Sequence, residues 1–259
     1  MSRFYALTLL LLLMLPWAAS AGEPRSGADL LACARHNWVT SSYHGSEDLK
    51  VFRADFSKEF RMEVWSAQEN KQVMIRLLAP AAEAGSGYLL KGDQLWYYSP
   101  AAGQAVPLPS ASLSQAFLGS DLNLEDLYRG TLSEQYTVKL AGSRKDKSGR
   151  LIDHLVLTPK PEAPVVYGRL ELDLLDSNCA VLLMDTYDQR NSLIRETSFS
   201  DFVVRGGRVI PTKTISNDLL HQGNYSESTV DPSFELDIAI PPERFSLACL
   251  ADDSQCGSP

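Results

Sequence analysis

The stretch Leu95-Trp96-Tyr97-Tyr98 constrains the fold more than any other short segment of the chain. Successive side chains of a β-strand point to opposite faces, so Leu95 and Tyr97 share one face and Trp96 and Tyr98 the other. Neither face is charged. A sheet washed by solvent on one side alternates apolar and polar residues, so this strand needs cover on both sides. Residues 72–79 repeat the demand: Val73, Ile75 and Leu77 alternate with Met74, Arg76 and Leu78, where Arg76 is the one charge.

The surrounding pattern is strand after strand. Residues 46–54, 58–67 and 72–79 read as strands, and Tyr88–Leu90 with Gln94–Ser99 as a hairpin about Lys91-Gly92-Asp93. Seven more are expected near 135–145, 150–158, 166–175, 179–188, 192–205, 208–217 and 225–239, separated by turn-forming segments. Before them, Ser26-Gly27-Ala28-Asp29 has the form of a capping box. Leu30, Leu31, Ala34 and Trp38 follow at helical spacing, predicting a helix of about three turns. Pro-rich residues 100–110 read as a turn into an apolar-rich insert. There Leu113, Phe117 and Leu118, then Leu124, Leu127 and Tyr128, predict two short helices broken at Gly119.

Connections this short favour antiparallel neighbours, so the expected fold is mainly β: a strongly curved antiparallel meander, in effect an incomplete barrel. A sheet of so many strands twists and curls, and its concave side has to be filled. A few short helices covering the concave face, chiefly the 111–129 insert, are the expected filling.

The first 21 residues are expected to be an export signal. Arg3 precedes an apolar run, Phe4–Leu15, broken only by Thr8, and Ala19-Ser20-Ala21 offers cleavage before Gly22. That run is shorter than the roughly 20 residues needed to span a bilayer. Leu30-Leu31-Ala32-Cys33 has the letters of a lipobox, but the polar residues 22–29 separate it from the apolar run. Residues 22–259 are then expected to form one soluble domain without a membrane anchor. With Arg3 removed, 23 Lys and Arg face 32 Asp and Glu, a net charge of −9, which argues against nucleic-acid binding.

Four cysteines in an exported chain favour disulfides, with three possible connectivities. Cys249 and Cys256 are joined by a short flexible link, which favours that pair and leaves Cys33 with Cys179. No C-x-x-C or Cys/His cluster suggests a metal. His36, His44, His154 and His221 are scattered, and no nucleophile elbow, phosphate-binding loop or dinucleotide fingerprint occurs. No enzyme, catalytic residue, cofactor or metal is therefore expected. The acidic residues Asp121, Glu125 and Asp126 could hold calcium, but the reading preferred is that Ser120 or Asp121 caps a helix and the nearby carboxylates complement its positive N-terminus.

Taken together, Leu30–Trp38, the stretch from Gly87 to Pro100, Phe117–Leu127 and the Ile240–Leu250 segment resemble the bacterial outer-membrane lipoprotein-sorting proteins, relatives of the periplasmic lipoprotein carrier LolA. The resemblance implies an incomplete antiparallel barrel with helices over its hollow, in a periplasmic monomer. It implies a carrier that shelters lipoprotein acyl chains, or another lipid, between an inner-membrane transporter and an outer-membrane acceptor. The Gly119-Ser120-Asp121 and Glu125-Asp126-Leu127 segments mark a branch distinct from the standard carrier, which leaves room for another lipid as cargo. A sensor or regulatory binding module, or an accessory subunit of a lipid-exporting transporter, is the alternative. The residues expected to face cargo are Trp65, Trp96 and Tyr98 on strands, with Phe117, Leu118, Leu124 and Leu127 on the insert.

Overall fold

The structure, a computed structural model, describes residues 25–124, 132–163 and 165–257; the expected signal segment lies outside them. The first helix, α1 (Gly27–Trp38), begins where the sequence places it. The Ser26 hydroxyl accepts from the Asp29 amide at 3.2 Å, and the Asp29 carboxylate accepts from the Ser26 amide at 2.9 Å. The helix ends at Val39, whose extended backbone leads into the sheet. Among the described residues no helix is long and apolar enough to cross a membrane.

Six strands follow: β1 (Ser42–Phe52), β2 (Ser57–Ala67), β3 (Gln72–Ala79), β4 (Gly87–Lys91), β5 (Gln94–Tyr98) and β6 (Ala105–Leu108). After the insert and a four-residue helix, α2 (Leu132–Gln135), come β7 (Tyr136–Lys145), β8 (Leu151–Pro159), β9 (Arg169–Leu175) and β10 (Val181–Tyr187). The series closes with β11 (Leu193–Arg205), β12 (Arg208–Asp218), β13 (Tyr225–Val230) and the two-residue β14 (Glu235–Leu236). A helix of five residues, α3 (Leu247–Ala251), lies near the end of the chain.

All fourteen strands belong to one antiparallel sheet that does not close into a barrel. Its order corrects the single meander expected from short connections. Two meanders, β1–β6 and β7–β13, are joined where β1 pairs with β13, with Glu47 opposite Val230 and Phe52 opposite Tyr225. The outermost strands are therefore β6 and β7, which are consecutive in sequence but lie at opposite edges. The chain between them has to pass from one edge of the sheet to the other. A second correction concerns β6, within the segment read as a turn: Pro107 is tolerated there because β6 is an edge strand.

Three apolar clusters fill the molecule. Leu30, Leu31 and Ala34 of α1 pack on Leu155, Leu157, Leu170, Leu172 and Met184, covering the concave face of β8–β10. The insert packs Leu113, Phe117, Leu118, Leu122 and Leu124 on the concave face of β1–β5. The third cluster lies on the other side of β2–β5, where Phe245, Leu250 and the disulfide-bonded Cys249 and Cys256 cover Trp65, Met74 and Leu89. Both disulfides pair as the spacing favours, Cys33–Cys179 and Cys249–Cys256. The first engages the sulfur that a lipobox would acylate and fastens α1 to the β9–β10 turn.

Candidate functional site

The cover demanded by Leu95–Tyr98 comes from two directions. Leu90 and Leu95 are paired across β4 and β5 and join the concave cluster with Tyr88, whereas Leu89 pairs with Trp96 on the outer face. On that outer face Arg76 donates to the Cys249 carbonyl at 2.6 Å, holding down the C-terminal segment. Gly87 is needed for this approach: a Cβ there would lie 2.6 Å from the Ile75 carbonyl and 3.1 Å from Leu250 Cδ1.

The strand residues expected to face cargo lie on the outer face of the sheet, opposite the insert. Trp65, Trp96 and Tyr98 all pack in the outer cluster beneath the C-terminal segment. The Arg244 guanidinium lies 4.4 Å from the centre of the Trp65 ring, and His44 stacks on it at 5.0 Å. A shift of one residue in phase exchanges the two faces of a strand: of their neighbours, Val64 and Ser66 on β2 line the hollow, and Leu95 on β5 packs in the concave cluster.

Between α1, the insert and the middle of the sheet lies a cavity of about 300 Å³. Leu49, Met62, Val64, Val73 and Ile75 of β1–β3 form an apolar wall. The facing wall, from β11–β13, mixes Phe199, Ile210 and Pro211 with the hydroxyls of Thr214 and Ser228. Asn37 and Trp38 at the end of α1 close one side, and Phe117, Leu122 and Asn123 of the insert close the other.

The first of the two expected helices is folded differently, and the second, expected about Leu124, Leu127 and Tyr128, falls largely outside the described residues. Ser110–Ser114 and Phe117–Gly119 are 3-10 turns, and Ala116 bridges to Asn123, so residues 116–123 form a closed loop. Leu118 and Gly119 both have left-handed backbones, φ 54° and 76°, which turn Phe117 and Leu118 inward. Phe117 lines the cavity, Leu118 packs on the concave cluster and Leu124 is buried in it, while Leu127 lies outside the described residues. Glu125 and Asp126 lie outside the described residues, and Asp121 is held by side chains from the sheet. Its carboxylate meets Arg53 at 3.1 Å and accepts from Ser226 Oγ at 2.6 Å, while Arg195 donates to its carbonyl at 2.6 Å. Asn123 donates to the Tyr167 hydroxyl at 2.8 Å. The loop is thus clasped to both halves of the sheet.

Among the described residues one carboxyl lines the cavity, that of Glu47, with the Tyr43 hydroxyl donating to its Oε1 at 3.1 Å. Glu47 is half-buried and looks onto the partly open cavity. Burial pushes the Glu47 carboxyl above the usual carboxylate range, against the opposing hydrogen bond from Tyr43. Burial and the charge of Glu47 push the Tyr43 phenol far up in turn, and Tyr88, beneath the insert, is pushed up to about 12 chiefly by burial. Neither group was singled out from the sequence, because β1 was expected to start at Ser46 and Glu47 stands among polar residues. The available signal was phase: Leu49 and Val51, both buried, alternate in step with Glu47.

No curated protein sequence matches the chain. A LolA superfamily protein from Nitrosomonas europaea is similar in structure, with TM-score 0.72 and 23% identity over 86% of this chain and 98% of that one. A DUF1329 family protein from Desulfovibrio piger superposes with TM-score 0.77 and 20% identity over 86% and 97%. A Vibrio parahaemolyticus domain provisionally named for outer membrane lipoprotein sorting gives TM-score 0.72 and 16% identity over 85% and 97%. A family model with the description "Uncharacterized protein" matches residues 69–252, most of the chain. The chain belongs to that family, and its fold is that of the LolA superfamily.

Proposed function

We propose that the protein is a periplasmic carrier that shelters acyl chains, of a lipoprotein or another lipid, in the hollow between the sheet and its insert, for transfer toward the outer membrane. The observation that carries this reading is the cavity itself, a partly open, mainly apolar space walled by β1–β3 and flanked by the clasped loop 116–123. Its volume of about 300 Å³ is at the small end of the ~300–1,000 Å³ usual for ligand pockets. An apolar cavity of ~150 Å³ already holds a benzene ring, so the resting hollow admits part of a long chain and the insert has to yield for the remainder.

That partial filling suits a carrier. Burying a sixteen-carbon chain gains on the order of 12 kcal/mol gross, and an open rigid cavity would retain it. Displacing Phe117, Leu118 and Leu122 from the concave face offsets part of that gain, which keeps release feasible.

Native mass spectrometry of protein from a periplasmic extract, followed by lipid extraction, tests the reading. A stoichiometric species of lipid or acylated-peptide mass that exchanges with membranes is expected. Apo protein that also ignores acyl probes in solution would leave the scaffold as a sensor or docking module and remove the carrier reading.

A further inference from the structure

Glu47 is the only carboxyl lining the hollow among the described residues, and no Lys or Arg lines it. Its position is built rather than incidental. Tyr43, Gly45 and Glu47 follow one another on the same face of β1, and the Tyr43 hydroxyl reaches past Gly45 to Glu47. A Cβ on Gly45 would lie 2.5 Å from the Tyr43 hydroxyl oxygen and 2.9 Å from Phe234 Cβ, so only glycine leaves the path clear. The Phe234 ring backs Tyr43 at 6.0 Å.

β1 is also the seam between the two walls of the cavity. On one side β2 and β3 offer Met62, Val64 and Ile75; on the other β12 and β13 offer the hydroxyls of Thr214 and Ser228. A chain laid along the first wall would bring its polar end to Glu47 and these hydroxyls. Hydroxyls serve donors and acceptors alike, but an ionised carboxylate only accepts and carries negative charge. Resting on the carrier reading, we infer that the hollow selects amphiphiles whose polar end is a cationic amine, seated against Glu47. An ammonium there makes a charge-assisted hydrogen bond to the half-buried carboxylate and offsets the solvation it has lost. A fatty-acid anion in the same place sets two like charges together and is rejected. Selection by charge in a cavity that apolar contacts alone would leave indiscriminate is specificity through a repulsive element.

The test is a binding comparison of dodecylammonium, dodecanoate and dodecanol, each below its micellar concentration, at mildly alkaline pH with wild-type protein and Glu47→Gln. Wild type is expected to prefer the ammonium over the carboxylate by roughly tenfold or more. Glu47→Gln is expected to bring that ratio close to one while still binding dodecanol, and retained dodecanol binding reports an intact cavity. An unchanged ratio in Glu47→Gln, or equal binding of all three by wild type, overturns the amine assignment and leaves the carrier reading standing. Failure of all three to bind wild type overturns the carrier reading and this inference with it. Competition against bound dodecylammonium then separates the sources: an amine-headed phospholipid, or a lipidated peptide with lysine beside its acylated end. Displacement by either supports the assignment and names the source; displacement by neither overturns it as recognition of cargo.

Discussion

Phe117 meets Tyr88 edge-on, with ring centres 5.3 Å apart and planes inclined at 68°. This contact joins the insert to the wall of the hollow and gives Phe117 a measurable role. Phe117→Asp should place a charge beside the acyl path and abolish binding of a fluorescent acyl probe, with the sheet intact by circular dichroism. A folded variant that binds normally would take the insert out of the mechanism.

The outer face makes the opposite prediction. Trp65 is buried under the C-terminal segment, so Trp65→Ala should cost about 3–5 kcal/mol of stability by leaving a cavity. Acyl-probe affinity, measured where the variant remains folded, should stay near wild type. Lost affinity in a fully folded variant would reinstate Trp65 as a residue of the hollow.

Glu47 should impose a pH-dependent cost on stability. Its carboxyl titrates above the unfolded value of about 4.3, so the folded state holds its proton more tightly than the unfolded state. Below the unfolded value there is no cost. As pH rises through the raised folded value the cost develops in full, and it persists above. Glu47→Gln should therefore raise Tm at neutral pH, by roughly 2–4 °C for each kcal/mol in a chain of this size. Near the acid limit the two proteins should melt together, which paired thermal melts across pH would reveal.

The two disulfides should differ in worth. Cys33–Cys179 spans 146 residues and Cys249–Cys256 spans 7. By loop entropy alone they contribute about 5 and about 2.5 kcal/mol respectively. Cys33→Ser with Cys179→Ser should thus lower the denaturant midpoint more than Cys249→Ser with Cys256→Ser. The reverse order would mean that the C-terminal cover, and not the anchoring of α1, limits stability.

Arg53 and Asp121 form a largely buried ion pair that clasps the loop. Arg53→Met leaves the Asp121 carboxylate with Ser226 but without its ion-pair partner and should cost about 3 kcal/mol. If the clasp holds the insert in place, the variant should also load acyl probe faster than wild type in a stopped-flow measurement. Slower or unchanged loading would assign the pair to stability alone.

Much of this molecule was legible in local sequence. Ser26 and Asp29 announce the start of α1, and strand alternation locates nearly every strand to within a few residues. The spacing of Cys249 and Cys256 favours the observed pairing, and Leu95–Tyr98 requires a sheet covered on both sides. These features follow from the geometry of a few consecutive residues: a hydrogen-bonded cap, a period of two, a short loop.

Tertiary structure decided which face is which. Trp65, Trp96 and Tyr98 look like cargo contacts, but the period of two only sorts residues into two sets. Whether a set lies inside the curve depends on how β1 closes on β13 and on the return of Phe245 and Leu250 to the outer face. Those contacts join residues far apart in sequence and leave no local mark. For the same reason Glu47, which looks solvent-facing among Ser46 and Asp48, comes to line the hollow, the one carboxylate to do so among the described residues, only once β13, β2 and the insert gather around it.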